Sequence, residues 1–359
     1  MPTPSRLLPH SIVLAVSVGC VLLGGGREAR AQGPASPEAR SDGALVARQP
    51  CQLLHRTYAQ FVSFMREGEP ALQPEVFQRV FTRQVHDALV GGTEVVCEKV
   101  EYLSDGLRVK GVLVRPRGGP ARVKHPAVIY LRGGFGEAGR ILFWNLMEFA
   151  VLARRGYVVV ATEYRGNHGG EGHDEAGGAD VRDVLNLIPL LEGQPDVDAS
   201  RIGLYGWSRG ALMAYLTLAR TERIAAAVVG AAPTDAFRMV AARPELETEV
   251  LAKQVPGYAA NRASLLQARS PSRWAELLPA HTPLLLLQGT ADWRVAPDEA
   301  LTMAQHLLAA RRPFRLVLFE GGDHLLNEHA AETQRLVGDW LDRYVRDRAP
   351  FPPLEPHGR

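Results

Sequence analysis

Between residues 127 and 319 the chain repeats one pattern: a short apolar run, a glycine-containing or polar break, then a longer stretch with apolar positions three and four apart. The runs are Ala127–Leu131, Tyr157–Thr162, Arg201–Tyr205, Ala225–Val229, Leu284–Leu287 and Arg315–Phe319. Runs without polar alternation fit strands covered on both faces, and their alternation with helical stretches predicts a parallel sheet with crossover helices. Upstream, Val95–Tyr102 and Leu107–Val114 do alternate, and Ser104-Asp105-Gly106 between them predicts a hairpin turn. Structure is expected to begin near Ala44. Leu53, Leu54, Tyr58, Phe61 and Met65, then Val76, Phe77, Val80, Val85 and Leu89, recur at helical spacing and predict two helices that brace the sheet over 44–92. Residues 233–282 break the rhythm with helical patches and no strand. They are expected to form a lid-like insertion over the carboxyl edge of the sheet, where pockets form in such folds. The brace is expected over the same edge, and Phe237, Met239, Tyr258 and Trp274 either wall the pocket or form the insertion's own core.

The first 31 residues stand apart. Arg6 and His10 precede an apolar run from Ile12 to Leu23 that is too short to span a bilayer, and Ala29-Arg30-Ala31 has the small-residue form of a cleavage site. The segment therefore reads as an export signal cleaved before Gln32, the alternative being an uncleaved anchor. The Pro/Ala/Ser/Gly-rich stretch 32–43 then reads as a linker, 93–348 as the main domain and 349–359 as a tail. No stable membrane insertion is expected after cleavage, and the mature chain would be periplasmic or secreted. Cleavage removes Arg6, Arg27, Arg30 and Glu28, so 41 basic and 39 acidic residues become 38 and 38. A neutral chain without a Lys/Arg cluster lacks the field that nucleic-acid binding requires. Cys20 lies inside the signal, without the leucine three residues ahead that a lipid-modified cysteine calls for. Cys51 and Cys97 remain, either as a disulfide of an exported protein or as two small buried hydrophobes.

The strongest chemical signal is Gly206-Trp207-Ser208-Arg209-Gly210, which joins a predicted strand directly to the helical pattern starting at Ala211. A serine on such an elbow is held in a strained conformation with its hydroxyl exposed, and small neighbours let strand and helix approach. A hydroxyl needs a base, and the base an orienting acid. Asp292 follows the strand Leu284–Leu287 and His324 follows the last strand, so both loops leave carboxyl strand ends and can reach Ser208. Asp298 reads instead as a helix-start acid, and Asp323 adjoins the histidine in a tight loop. The Arg209 backbone N–H at the helix start and Gly134, in Arg132-Gly133-Gly134-Phe135-Gly136, are the expected oxyanion donors. His168, His173 and Asp174 sit in a glycine-rich loop without fixed geometry, and His324 with His329 is no better. The chemistry calls for no metal and no cofactor. Trp207 is read as packing.

These residues resemble the catalytic domain of the prolyl oligopeptidase family of serine peptidases from about residue 95 to residue 346. The resemblance rests on Glu163-Tyr164-Arg165-Gly166 with its glycine-rich loop, Asp180-Val181-Arg182-Asp183-Val184, Asp198 to Ile202, the Ser208 elbow and the Asp292 and His324 loops. It implies an α/β-hydrolase fold, a mostly parallel doubly wound sheet, and a serine peptidase acting on short peptides through an acyl-enzyme. A carboxylesterase on small acyl or carbohydrate esters is the alternative. The Arg132-Gly133-Gly134 loop looks like the His-Gly-Gly loop of acylaminoacyl-peptidase-like members, with arginine in place of histidine and Phe135 in place of proline. The family's usual β-propeller is not expected here, because the helical stretch before Val95 is too short to build one.

Overall fold

A computed structural model describes residues 41–53, 55–68, 78–118 and 123–357. The expected signal segment, the start of the linker, and Leu54, Val76 and Phe77 lie outside them. The described residues build a nine-stranded sheet in the order β1-β2-β3-β5-β4-β6-β7-β8-β9. Its strands are β1 (Leu45–Pro50), β2 (Val95–Ser104), β3 (Leu107–Pro116), β4 (His125–Leu131), β5 (Val158–Thr162), β6 (Val197–Trp207), β7 (Ile224–Gly230), β8 (Leu284–Gly289) and β9 (Phe314–Phe319). From β5 to β9 every pairing is parallel, whereas β1, β2 and β3 run antiparallel. The hairpin closes as expected: Ser104 pairs with Leu107, and Asp105 and Gly106 turn with φ of 52° and 78°.

Side chains alternate between two buried faces. In β4, Ala127, Ile129 and Leu131 enter one core with the helices after Asp180 and those starting at Arg209 and Pro297, while Val128 and Tyr130 enter the other. The second core holds the brace: α1 (Tyr58–Gly68) and α2 (Arg83–Val90) place Phe61, Met65, Val85 and Leu89 against α3 (Phe143–Arg154). The Thr82 hydroxyl caps α2 by accepting from Val85 N at 3.3 Å. Phe61 and Phe143 rings lie 5.4 Å apart. The apolar stripe of the brace is thus spent on a sheet face through α3, not on the carboxyl edge. Sequence periodicity also missed β1, an edge strand whose half-exposed LVARQP side chains carry no two-faced pattern.

The segment 233–282 has no strand and forms α5 (Ala236–Ala242), α6 (Tyr258–Ala268) and short turns. Its small core joins Ala236, Val240, Leu251, Val255, Tyr258 and Leu266 to Ala176, and Phe135, Phe237 and Met239 pack against it. Tyr258 is therefore core, and Trp274 belongs to the main core; neither walls a pocket. No helix among the described residues is long and apolar enough to cross a membrane.

Cys51 and Cys97 are bonded, with Cα atoms 5.4 Å apart, which ties the end of β1 to β2 across a loop containing the brace. Closing a loop of this length limits the unfolded chain by about 4 kcal/mol. The Cys51→Ala/Cys97→Ala variant is expected to unfold at lower denaturant, and equal midpoints in oxidised parent and variant would refute the contribution.

Glu148 on α3 accepts from the Tyr205 hydroxyl at 2.8 Å between α3 and the helix Ala330–Leu341, and burial pushes its carboxyl up to about 7. A raised carboxyl favours the folded state while protonated, so its contribution is lost as pH climbs from about 4.5 to about 7. At pH 8 Glu148→Gln is expected to exceed the parent in stability by about 3 kcal/mol, the gap narrowing toward pH 5. Denaturant titrations at both values check this, and a gap independent of pH would contradict it.

Candidate active site

Strand β6 ends at Trp207, and α4 (Arg209–Leu218) begins two residues later, with Ser208 alone in the turn at φ 56° and ψ −123°. A non-glycine residue pays strain to sit there, and the surroundings must hold it. Ser208 N donates to Gly230 O at 2.8 Å, and the Ser208 carbonyl accepts from Ala211 and Leu212. Close backbone approach dictates the flanking glycines: a Cβ on Gly210 would lie 1.9 Å from Leu131 O, and one on Gly206 2.2 Å from Gly210 O. The elbow thus locks β6, α4 and the end of β4 together.

The acid and histidine loops meet through their backbones. Thr290 N donates to Phe319 O at 2.9 Å and Ala291 N to Gly322 O at 3.0 Å, which sets Asp292 beside His324. His324 Nδ1 lies 2.8 Å from Asp292 Oδ2. The other Asp292 oxygen accepts from Arg294 N at 2.8 Å and Val295 N at 3.0 Å. Burial is the largest influence and pushes the Asp292 carboxyl up, but the hydrogen bonds from His324 and these N–H groups outweigh it and leave it below its ordinary value. Asp292 is thus held ionised against an imidazole whose other nitrogen is left for a reaction partner. Among the described residues no hydrogen bond joins the Ser208 hydroxyl to His324, a contact that typically tightens only with substrate bound.

The competing acids lie elsewhere. Asp298 is half exposed at the start of α7 (Pro297–Ala309) and pairs with Arg238, while Asp323 accepts from Leu325 N and from Asn327 within its own loop. Asp174 pairs with Arg209, and His168 sits at 3.8 Å from Glu137. No cluster among the described residues has the make-up of a metal site.

On the other side of Ser208 runs the Gly133–Gly134 loop. A Cβ on Gly133 would lie 3.3 Å from Ser208 Cβ and 3.9 Å from its Oγ. Gly134 has φ 70°, and a Cβ there would meet Ala138 O at 2.2 Å. Arg209 opens α4, so its N–H is among the first-turn donors a helix leaves free. Sequence reading missed two features. The Trp207 indole donates to His324 O at 2.8 Å and so steadies the histidine loop. The Arg209 side chain is buried on Asp174 Oδ1 at 2.6 Å and Asp180 Oδ2 at 2.7 Å. A large residue inside a nucleophile elbow was the available signal for both.

Trp207→Phe keeps an aromatic side chain but removes the indole N–H, whose hydrogen bond is worth about 0.5–1.5 kcal/mol, and part of the ring volume that packs against Gly230. Turnover per folded enzyme is expected to fall about 2- to 10-fold, with a small loss of stability from the shortened ring measured separately by denaturant titration, and a parental rate would show that the indole does not steady His324.

The prolyl oligopeptidase family model matches residues 144–348. The uncharacterized peptidase YtmA of Bacillus subtilis is 32% identical over 248 residues, covering 69% of this chain and 92% of YtmA. Dipeptidyl-peptidase 5 of Porphyromonas gingivalis is 25% identical, with 71% of this chain and 39% of that protein covered. The human acylamino-acid-releasing enzyme is 26% identical, with 69% and 35% covered. The chain thus spans YtmA almost entirely but well under half of the larger relatives. Among solved structures, an acylaminoacyl peptidase in complex with Z-Gly-Gly-Phe-chloromethyl ketone shares the fold with a TM-score of 0.62 at 22% identity, covering 72% of this chain and 43% of that one.

Proposed function

This chain belongs to the prolyl oligopeptidase family of serine peptidases, and from that premise we propose that it cleaves short peptides through an acyl-enzyme on Ser208. The observation that carries the reading is the Asp292–His324 pair at 2.8 Å, on the sheet edge where the strained Ser208 elbow lies. His324 Nε2 takes the Ser208 proton as Oγ attacks the scissile carbonyl, and Asp292 on Nδ1 fixes the ring and stabilises the imidazolium. Negative charge on the former carbonyl oxygen falls to the Arg209 and Gly134 N–H groups. Collapse of the intermediate passes the proton to the leaving amine. Water, activated by the same histidine, then releases the acid and restores Ser208.

The insertion 233–282 supports a preference for small substrates, since its core packs with Phe135 of the loop facing Ser208. An export address rests on the apolar run after Arg6 and on the Cys51–Cys97 bond, a feature of oxidising compartments.

Ser208→Ala, His324→Ala and Asp292→Asn are each expected to cost at least about 10³-fold in turnover, with the Ser208/His324 double variant little worse than either single one. Asp298→Asn serves as the control with parental activity. Rates on aminoacyl p-nitroanilides and on p-nitrophenyl acyl esters, measured side by side, test the substrate. Activity confined to esters would replace the peptidase reading with a carboxylesterase, and loss of activity in Asp298→Asn but not in Asp292→Asn would overturn the acid assignment.

A further inference from the structure

Two arginine side chains outside the chemistry above are among the most buried groups of the molecule, Arg132 at 1% and Arg209 at 2% exposure. Both stack on the Tyr164 ring, their guanidinium carbons 5.1 and 4.7 Å from its centroid. Each also takes the carbonyl of one loop glycine: Arg132 Nη1 donates to Gly133 O at 3.2 Å, and Arg209 Nη1 to Gly134 O at 3.0 Å. We propose that Arg132 and Arg209 are positioning residues that clamp the Gly133–Gly134 loop so that the Gly134 N–H stays aimed at the developing oxyanion. The inference rests on the reading that this loop supplies the second donor.

A trans peptide unit points its C=O and N–H to opposite sides. Tying Gly133 O to Arg132 therefore turns the Gly134 N–H away from that guanidinium, and this N–H has no partner among the described residues. Arg132 gathers the rest of the loop as well. Its Nη2 donates to Gly136 O at 3.0 Å and to Glu163 O at 2.7 Å, Nη1 to Ala138 O at 3.4 Å, and Nε lies 2.9 Å from Glu163 Oε2. Arg209 is anchored from behind by Asp174 and Asp180. A glycine loop has no conformational preference of its own, so its shape comes from these two planar forks, each of which reaches a loop carbonyl and at least one carboxylate at once. Lysine keeps the charge and loses the fork.

The test uses Arg132→Lys and Arg209→Lys in the full chain, two variants that release different carbonyls. Active sites are counted by fluorophosphonate titration, and kcat on an aminoacyl p-nitroanilide is expressed per titrated site, with KM and the affinity for a peptidyl boronic acid measured alongside. The expected result is a fall in kcat per site of about 10- to 100-fold with KM within about twofold. The boronic acid should weaken by the same factor as kcat/KM, since it mimics the tetrahedral state. A role confined to packing gives fewer titratable sites with parental kcat at each, and that outcome in either folded variant overturns the proposal. Ser208→Ala run in parallel separates the two readings: if it is still labelled and still turns over, the nucleophile assignment fails, whatever the arginine variants do.

Discussion

The close approach of α4 to the carboxyl ends of β4 and β6 is the constraint on which the rest of the site depends. The chain must reverse from strand to helix within one residue, and Ser208 absorbs the change at positive φ. That geometry exists only because the Gly206 and Gly210 backbones can touch their neighbours, Gly210 lying against the Leu131 carbonyl. The same contact carries the strain and fixes where the glycine loop leaves β4, so the nucleophile and the loop facing it are set by one packing event. The interior of the parallel sheet, buried on both faces, is the rigid body that holds the serine in a conformation it would not adopt in a free peptide.

Around that elbow, order is imposed by buried charge more than by apolar packing. Arg209 with Asp174 and Asp180, and Arg132 with Glu163, take ions out of water at several kcal/mol each, which only dense hydrogen bonding can offset. The offset is visible. The guanidinium of Arg132 reaches the carbonyls of Gly133, Gly136, Ala138 and Glu163, and Asp180 also accepts from Gly177 N and Gly178 N. Such a network adds little to net stability but penalises alternative loop conformations, because any of them strands a charge.

The histidine side of the site follows a different logic. Asp292 and His324 leave adjacent parallel strands, β8 and β9, and the ladder continues into the loops through Thr290 and Ala291. The hydrogen-bonded acid and histidine are thus extensions of sheet register. Trp207 reaches across from the elbow to His324 O and couples this half of the site to the serine half.

The interior strands, the hairpin, the Ser208 elbow and the loops bearing Asp292 and His324 were all legible in the sequence. Each leaves a local signature: continuous apolar runs in the interior strands, a turn sequence between the two hairpin strands, and glycines where backbones touch. The tertiary structure alone decided β1, whose half-exposed side chains carry no period, and the docking of the brace on α3, since a helical stripe says that it is buried but not against what. It also decided the pairing of Arg209 with Asp174 and Asp180 and of Arg132 with Glu163. Those partners lie 29 to 35 residues apart. Sequence determines which residues can neutralise one another, but the choice among many carboxylates and guanidiniums falls to whichever pair the folded sheet carries out of water together.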